Sequence, residues 1–401
     1  MRPSATGAIS DMAIAPAGSP PHFGSGREAD RMKAIVMKPT LLLLLFFVAT
    51  AFSQTRSIEN GVLYREAGRY GGWPANHGIW SWGNEILVGF ELGYFKLNER
   101  GHAIDYSKPA EHVLARSLDG GKTWKLERPK GLQPPPSVKV AGVPAGGEGK
   151  EAIDCPGGLD FSKPGFIFTA RMADIHVGPS RYYYSYDKGH NWEGPCNLPN
   201  FGQPGIAART DYIIGGKREM TVFLTAAKSN SREGRVIAVR TTDGAKTWKM
   251  LSFVGPEPEG NDFAIMPSSV SLGKGKFLTA IRHRQFIDLY GSNDDGATWQ
   301  HVSTPVPDTG RGNPASMIKL KDGRLALVYG YRAEPYGIRA RLSSDQGKTW
   351  SDDIVLRADA GNWDLGYPRS VQRPDGKVVS VYYYNDSPEK ERYIGVTIWQ
   401  P

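Results

Sequence analysis

Ser117–Trp124 reads SLDGGKTW, Ser185–Trp192 SYDKGHNW, Thr241–Trp248 TTDGAKTW, Ser292–Trp299 SNDDGATW and Ser343–Trp350 SSDQGKTW. These are five copies of one octapeptide, Ser/Thr-x-Asp-x-Gly-x-Thr-Trp, whose closing tryptophans fall 68, 56, 51 and 51 residues apart. Two copies depart from the pattern: Asn191 stands for Thr and Ala245 for the central Gly. Asp and Gly make the octapeptide a hairpin turn, with the carboxylate bonding nearby backbone N–H groups. The Trp packs beneath the turn. Strand-like runs precede the copies (Tyr182–Tyr184, Arg235–Arg240, Gly337–Leu342), and others fill the gaps (Glu85–Glu91, Gly165–Ala170, Met220–Ala226, Lys276–Ile281, Arg324–Tyr329). Each period then holds about four strands, the content of one propeller blade.

The remaining composition suits a closed all-β domain. The 401 residues include 48 Gly and 29 Pro, as many short strands joined by turns require. The net charge of +8 is spread along the chain without a dense basic run, which argues against nucleic acid and for a basic surface or an arginine-lined cavity. Lys33 and Lys38 precede the apolar run Leu41–Val48, and small residues at Ala51–Ser53 follow. That is the pattern of a cleavable signal peptide starting at Met32 or Met37, too short to span a membrane. The expected layout is an N-terminal extension with signal peptide over 1–53 and one domain over 54–401, secreted or periplasmic, a monomer without stable membrane insertion. Cys155 and Cys196 are open to pairing in such a compartment. Free thiols are the expectation, since a closed propeller has core enough without a crosslink. No metal-ligand spacing and no cofactor motif is present.

The octapeptides are Asp boxes, and the chain resembles the sialidase (neuraminidase) superfamily over nearly its whole mature length. Five boxes plus the boxless segment Leu365–Trp399 imply an all-β, six-bladed β-propeller with Asp-box hairpins, closed by a strand near Val62–Arg65. The resemblance also implies that Asp119, Asp187, Asp243, Asp294 and Asp345 are structural, because the family keeps its boxes away from the active site.

Propeller sites lie at the mouth of the central channel. Inner-strand starts place Asn76, His77, Asp154, Arg209, Asp211, Asp262, Asn313 and Tyr367 there. Second-strand ends add Glu91, Arg171, Lys228, Arg282 and Arg332, and third-strand starts add His112, Arg181 and Arg339. The resemblance implies a tyrosine nucleophile assisted by a glutamate, an aspartate acid/base on a first-blade loop, and three arginines on the sugar carboxylate. Tyrosine suits an anionic sugar because a carboxylate nucleophile would be repelled by it. Arginine matches a carboxylate with two parallel donors.

Carried onto this chain, Tyr367 in Leu365-Gly366-Tyr367-Pro368 matches the nucleophile, and Arg282 and Arg339 match the second and third arginines, with Arg209 assisting. The first arginine's Arg-Ile-Pro reads Gly72-Trp73-Pro74 here, and no carboxylate stands at Ile265-Met266-Pro267, where the glutamate belongs; Asp262 is nearest. For the acid/base, His102, Asp105, Glu111 and His112 are all open, and Asp105 is favoured. Asn76, His77 and Glu91 are expected to reshape the pocket where the first arginine is missing. The expected function is an exo-acting glycoside hydrolase removing a terminal acidic, sialic-acid-like sugar from glycans. A hydrolase or lyase for another acidic sugar, such as a uronate, and a non-catalytic carbohydrate-binding propeller remain as alternatives.

Overall fold

The computed structural model describes residues 56–140, 143–144 and 149–401; the expected signal peptide lies outside them. Six antiparallel sheets follow one another along the chain. Blade one holds Arg69–Gly72 and Ile79–Trp82 at its inner edge, then Glu85–Tyr94, Glu111–Ser117 and Lys125–Glu127. Blade two is Ile167–Met172, Ser180–Ser185 and Glu193–Leu198. Blade three sets Ile206–Ala207 and Tyr212–Ile214 beside Met220–Ala227, followed by Glu233–Thr241 and Lys249–Val254. Blade four is Ile265–Gly273, Lys276–Arg282, Ile287–Ser292 and Gln300–Val306, and blade five is Ala315–Lys319, Leu325–Tyr331, Gly337–Ser343 and Ile354–Arg357. Blade six takes Gly366–Gln372, Val378–Tyr384 and Tyr393–Trp399 from the C-terminus and its outermost strand, Ile58–Tyr64, from the far end of the chain. The ring therefore closes by β-pairing between the two chain ends, as expected.

The core is distributed between blades. Ile86, Val88 and Phe90 of blade one pack on Val379, Val381 and Tyr383 of blade six, and Leu87 and Leu114 pack on Ile167 and Tyr183 of blade two. Phe168 and Tyr182 meet Val222 and Leu224 across the next interface. Phe223 meets Phe277 after that, then Leu289 meets Leu327, and Val328 meets Tyr382. Each side chain so buried contributes about 1.5–3 kcal/mol, so every inter-blade seam holds by its own apolar contact.

The five Asp boxes form the turns between the last two strands of blades one to five. In each, the Ser or Thr hydroxyl donates to the Asp and accepts the N–H four residues on, as Thr241 does with Asp243 (2.9 Å) and Ala245 N (2.8 Å). Ala245, in place of the usual Gly, adopts a φ of 65° there. The boxes lie at the opposite strand ends from the mouth: in blade four Ser292 pairs with Phe277, while Arg282 at the other end pairs with Ile287.

Blade two corrects two expectations. It has three strands rather than four, because the described residues before it run along its outside. Ile153 bridges to Cys196 of the outer strand, and Asp154 accepts a hydrogen bond from Asn197 at the exposed edge, 2.9 Å away, instead of facing the channel. The inner position beside Ile167–Met172 is filled by neighbouring blades, where the Thr169 hydroxyl donates to His77 O (3.0 Å) and meets the Thr210 hydroxyl (2.8 Å). That detour brings Cys155 against Cys196, and the two form a disulfide. The expected free thiols are thus corrected: a segment without a strand of its own is fastened covalently to the blade edge.

Candidate active site

Three X-Pro dipeptides shape the mouth: Trp73-Pro74, Met266-Pro267 and Tyr367-Pro368. The residue before a proline is ordinarily extended, yet Trp73, Met266 and Tyr367 have φ of 55°, 53° and 50°. In blades four and six the ladder shifts register at that point, between Ile265 and Ser268 and between Gly366 and Arg369. Such bulges re-aim a side chain, and backbone strain of this kind gathers at functional sites.

Buried Asn313 holds the Tyr367 turn. Its Oδ1 accepts Tyr367 N (3.1 Å) and Gly330 N (3.2 Å), and its Nδ2 donates to Leu365 O (3.0 Å). Gly366 is required beside it, since a Cβ there would sit 2.3 Å from Asn313 Nδ2, at a φ of 104°.

Tyr367 lines a cavity of about 200 Å³ with Trp73, Asn76, His102, Tyr106, Met172, Arg209 and Glu233. Arg282 Nη1 donates to the Tyr367 hydroxyl at 2.9 Å, and Arg332 lies 5.4 Å from the ring centroid. Burial alone would push the phenol up, but the guanidinium groups of Arg282, Arg332 and Arg209 outweigh it and hold Tyr367 below its ordinary value. No carboxylate hydrogen-bonds Tyr367 among the described residues. At the expected glutamate position stands Met266, whose Sδ lies 3.5 Å from Arg282 Nη1. Glu233 is the carboxylate on the cavity wall, and it accepts from Arg209 Nη1 at 3.0 Å while Arg209 Nε donates to Asn76 Oδ1 at 3.2 Å.

The structure thus gathers Tyr367, Arg282, Arg209 and Asn76, and leaves four expected residues elsewhere. Arg339 lies against the outer strand of blade five, paired with Asp353 at 2.9 Å and stacked on Tyr331. The ion pair with Asp353 holds its side chain on the outer side of the blade. Arg332, at the end of the second strand, brings the third charge instead, with its donors spent on Leu365 O, Gly312 O and the Tyr383 hydroxyl. Asp105 accepts from the N–H and hydroxyl of Ser107 (3.0 and 2.6 Å), a local turn that holds its carboxyl below the usual range. From the same loop it is His102 and Tyr106 that line the cavity.

His77 and Glu91 are buried away from that cavity with His112 and Arg171. Burial, then Arg171, keeps both histidines well below their usual range, and burial raises Glu91 to about 8. The 3.3 Å contact between His77 Nε2 and Glu91 Oε1 therefore joins neutral groups at neutral pH. Ligand atoms of His77, Glu91 and His112 lie within 4.8 Å of one another. However, Arg171 and Arg369 press positive charge on His77, which opposes adding a divalent cation.

The loop histidine has partners from blade six. His102 Nδ1 lies 2.6 Å from Asp364 Oδ1; Asp364 also accepts from Ala103 N (2.9 Å), Arg392 Nε (2.9 Å) and the Tyr383 hydroxyl (2.9 Å). Burial opposes ionisation of Asp364, but His102, Arg392 and the Ala103 N–H outweigh it and hold the carboxyl well below its usual range.

The BNR repeat-like domain family matches residues 167–379, more than half of the chain. The chain belongs to that family. With six blades, five of them carrying an Asp box, it is a divergent member of the sialidase superfamily. It is similar to a sialidase from Bacteroides fragilis (strain YCH46), 23% identical over 320 residues, covering 70% of this chain and 55% of that protein. The chain spans little more than half of that relative's length. Among solved structures it is similar to a Dyadobacter fermentans protein of unknown function (TM-score 0.65, 20% identity, 86% of this chain and 99% of that one). It is also similar to Trypanosoma rangeli sialidase in complex with sialic acid (TM-score 0.56, 13% identity, 85% and 58%). At these identities the two structures speak for the fold. No helix among the described residues is long and apolar enough to cross a membrane.

Proposed function

We propose that this BNR-repeat protein is an exo-acting glycoside hydrolase that removes a terminal acidic sugar from glycans, with Tyr367 as nucleophile. The observation that carries the reading is the Tyr367 hydroxyl, 2.9 Å from Arg282 Nη1 and held below its ordinary pKa by three arginines. A phenolate so stabilised attacks the anomeric carbon without the repulsion that an anionic sugar would impose on a carboxylate. Arg282 retains an unpartnered buried Nε, and with Arg209 it offers charge for the sugar carboxylate. Trp73 and Tyr106 supply aromatic wall for the sugar ring. The signal-peptide pattern before Gln54 supports action outside the cytoplasm.

A second reading is a uronate-directed hydrolase or lyase. It is favoured by Trp73 standing where the family's first arginine belongs and by Met266 facing Arg282. A panel of aryl sialosides and uronides, with products identified, tests both. The first reading expects sialoside hydrolysis lost in Tyr367→Phe. Uronide turnover alone supports the second, and saturable sugar binding without turnover contradicts both in favour of a binding module.

A further inference from the structure

We propose that His102, positioned by Asp364, is the proton-transfer residue of this site, doing the work that Asp105 is not placed to do. The inference rests on the glycosidase reading above. His102 lies on the first-blade loop, is 22% exposed at its side chain, and lines the cavity with Tyr367. The two rings meet edge to face, with centroids 6.3 Å apart. Edge contacts with Trp73 (5.1 Å) and a tilted contact with Trp363 (5.7 Å) fix the imidazole plane. With Asp364 ionised, Nδ1 carries a proton toward it, and the Tyr383 hydroxyl stands 3.3 Å from the same nitrogen. Among the described residues Nε2 has no hydrogen-bond partner, both polar contacts of the ring running through Nδ1, and it is the nitrogen left to the cavity.

In the reactive form Tyr367 is a phenolate beside Arg282 and His102 an imidazolium whose Nε2 proton serves the departing oxygen. The phenolate oxygen then bonds to the anomeric carbon while the glycosidic C–O pair leaves on the departing oxygen, which takes the Nε2 proton. In the second half, neutral Nε2 accepts a proton from water as the water oxygen bonds to the anomeric carbon and Tyr367 leaves as phenolate beside Arg282. The sum is one glycosidic bond and one water consumed. The ionisable groups facing His102 are Asp364, Tyr383 and, through Asp364, Arg392 from blade six; Tyr106 from its own loop; and Tyr367, Glu233 and Arg209 around the cavity.

The test compares His102→Ala with wild type and Tyr367→Phe on two substrates of the same sugar, one with an aryl and one with an alkyl leaving group. A good aryl leaving group needs no proton. His102→Ala is therefore expected to release the aryl group in a pre-steady-state burst within about tenfold of wild type, while alkyl-glycoside cleavage falls about 10²–10⁴-fold, the usual worth of general acid catalysis. Added imidazole should restore part of the loss, whereas Tyr367→Phe loses both substrates and is not rescued. Asp364→Asn is expected to shift the alkaline limb of the pH profile with little change in KM; because it also frees Arg392, His102→Ala with an unchanged melting temperature carries the decision. Equal losses on both substrates, or full alkyl-glycoside activity in His102→Ala, overturns the proposal while leaving the glycosidase reading intact. A wild type that cleaves neither substrate class overturns that reading and this inference with it.

Discussion

Arg282 of blade four reaches across the channel mouth to donate to Tyr367 of blade six at 2.9 Å. The contact couples the charge of one blade to the reactivity of another. Arg282→Met keeps the stem and removes the charge. The Tyr367 phenol should titrate at higher pH, read by ultraviolet difference titration with Tyr367→Phe as blank. Because turnover needs the phenolate, the rising limb of the pH–rate profile should move to higher pH. Loss of such an electrostatic partner costs about 10²–10³-fold in kcat; an unmoved titration would mean that Arg282 does not govern the phenol.

Gly366→Ala tests the Asn313 clamp. The new methyl would meet Asn313 Nδ2 at 2.3 Å and occupy a φ of 104°, so the turn must shift and carry Tyr367 with it. Misplacement on the order of 1 Å costs about 10²-fold in rate. We expect that loss in kcat with a modest fall in melting temperature; unchanged kinetics would contradict the clamp.

What was legible in the sequence was local. A box closes its own hydrogen bonds within eight residues, so five boxes announce five turns and their spacing announces blades. Tyr367 and Arg282 were legible as strand-end residues, but their contact spans 85 positions and His102–Asp364 spans 262. Arg339 and Arg332 lie at strand ends of the same pole, and their partners separate them: Asp353 holds Arg339 beside the outer strand, while Leu365, Gly312 and Tyr383 hold Arg332 at the mouth. Asp154 was misplaced because turn spacing assumes a full blade. The 68-residue gap between the first two boxes, against 51 in the later ones, was the trace of blade two's irregular approach. Three X-Pro steps at the mouth were a further signal, visible only once the left-handed backbone before each was known.

Glu91 gives a pH prediction for stability. Its folded pKa of about 8 lies above its unfolded value, so the native state holds the proton more tightly. The stability it contributes is full below the unfolded pKa, near 4.3, and is lost as pH rises through about 8. Glu91→Gln stays neutral throughout. Its melting temperature should exceed that of wild type at alkaline pH and converge with it in acid, read by calorimetry across pH. A difference that grows toward acid would reverse the assignment.

Cys155 and Cys196 close a loop with a sequence separation of 41. Chain-entropy arguments give such a crosslink about 4 kcal/mol. Cys155→Ala with Cys196→Ala should lower the melting temperature by about 8–16 °C, taking about 2–4 °C per kcal/mol for large domains. Site kinetics should survive, because the bond lies on the outer edge of blade two. Equal melting temperatures would show that the detour is held by packing alone.

The central claim is that Tyr367 is the nucleophile, and trapping the intermediate tests it most directly. The protein is incubated with a sialic acid fluorinated at C2 and C3, or with the corresponding fluorinated uronic acid if the panel selects uronides, then digested and read by peptide mass spectrometry. The account predicts one glycosyl adduct on the peptide carrying Tyr367, absent from Tyr367→Phe; an adduct on another residue, or one that persists in Tyr367→Phe, would contradict it.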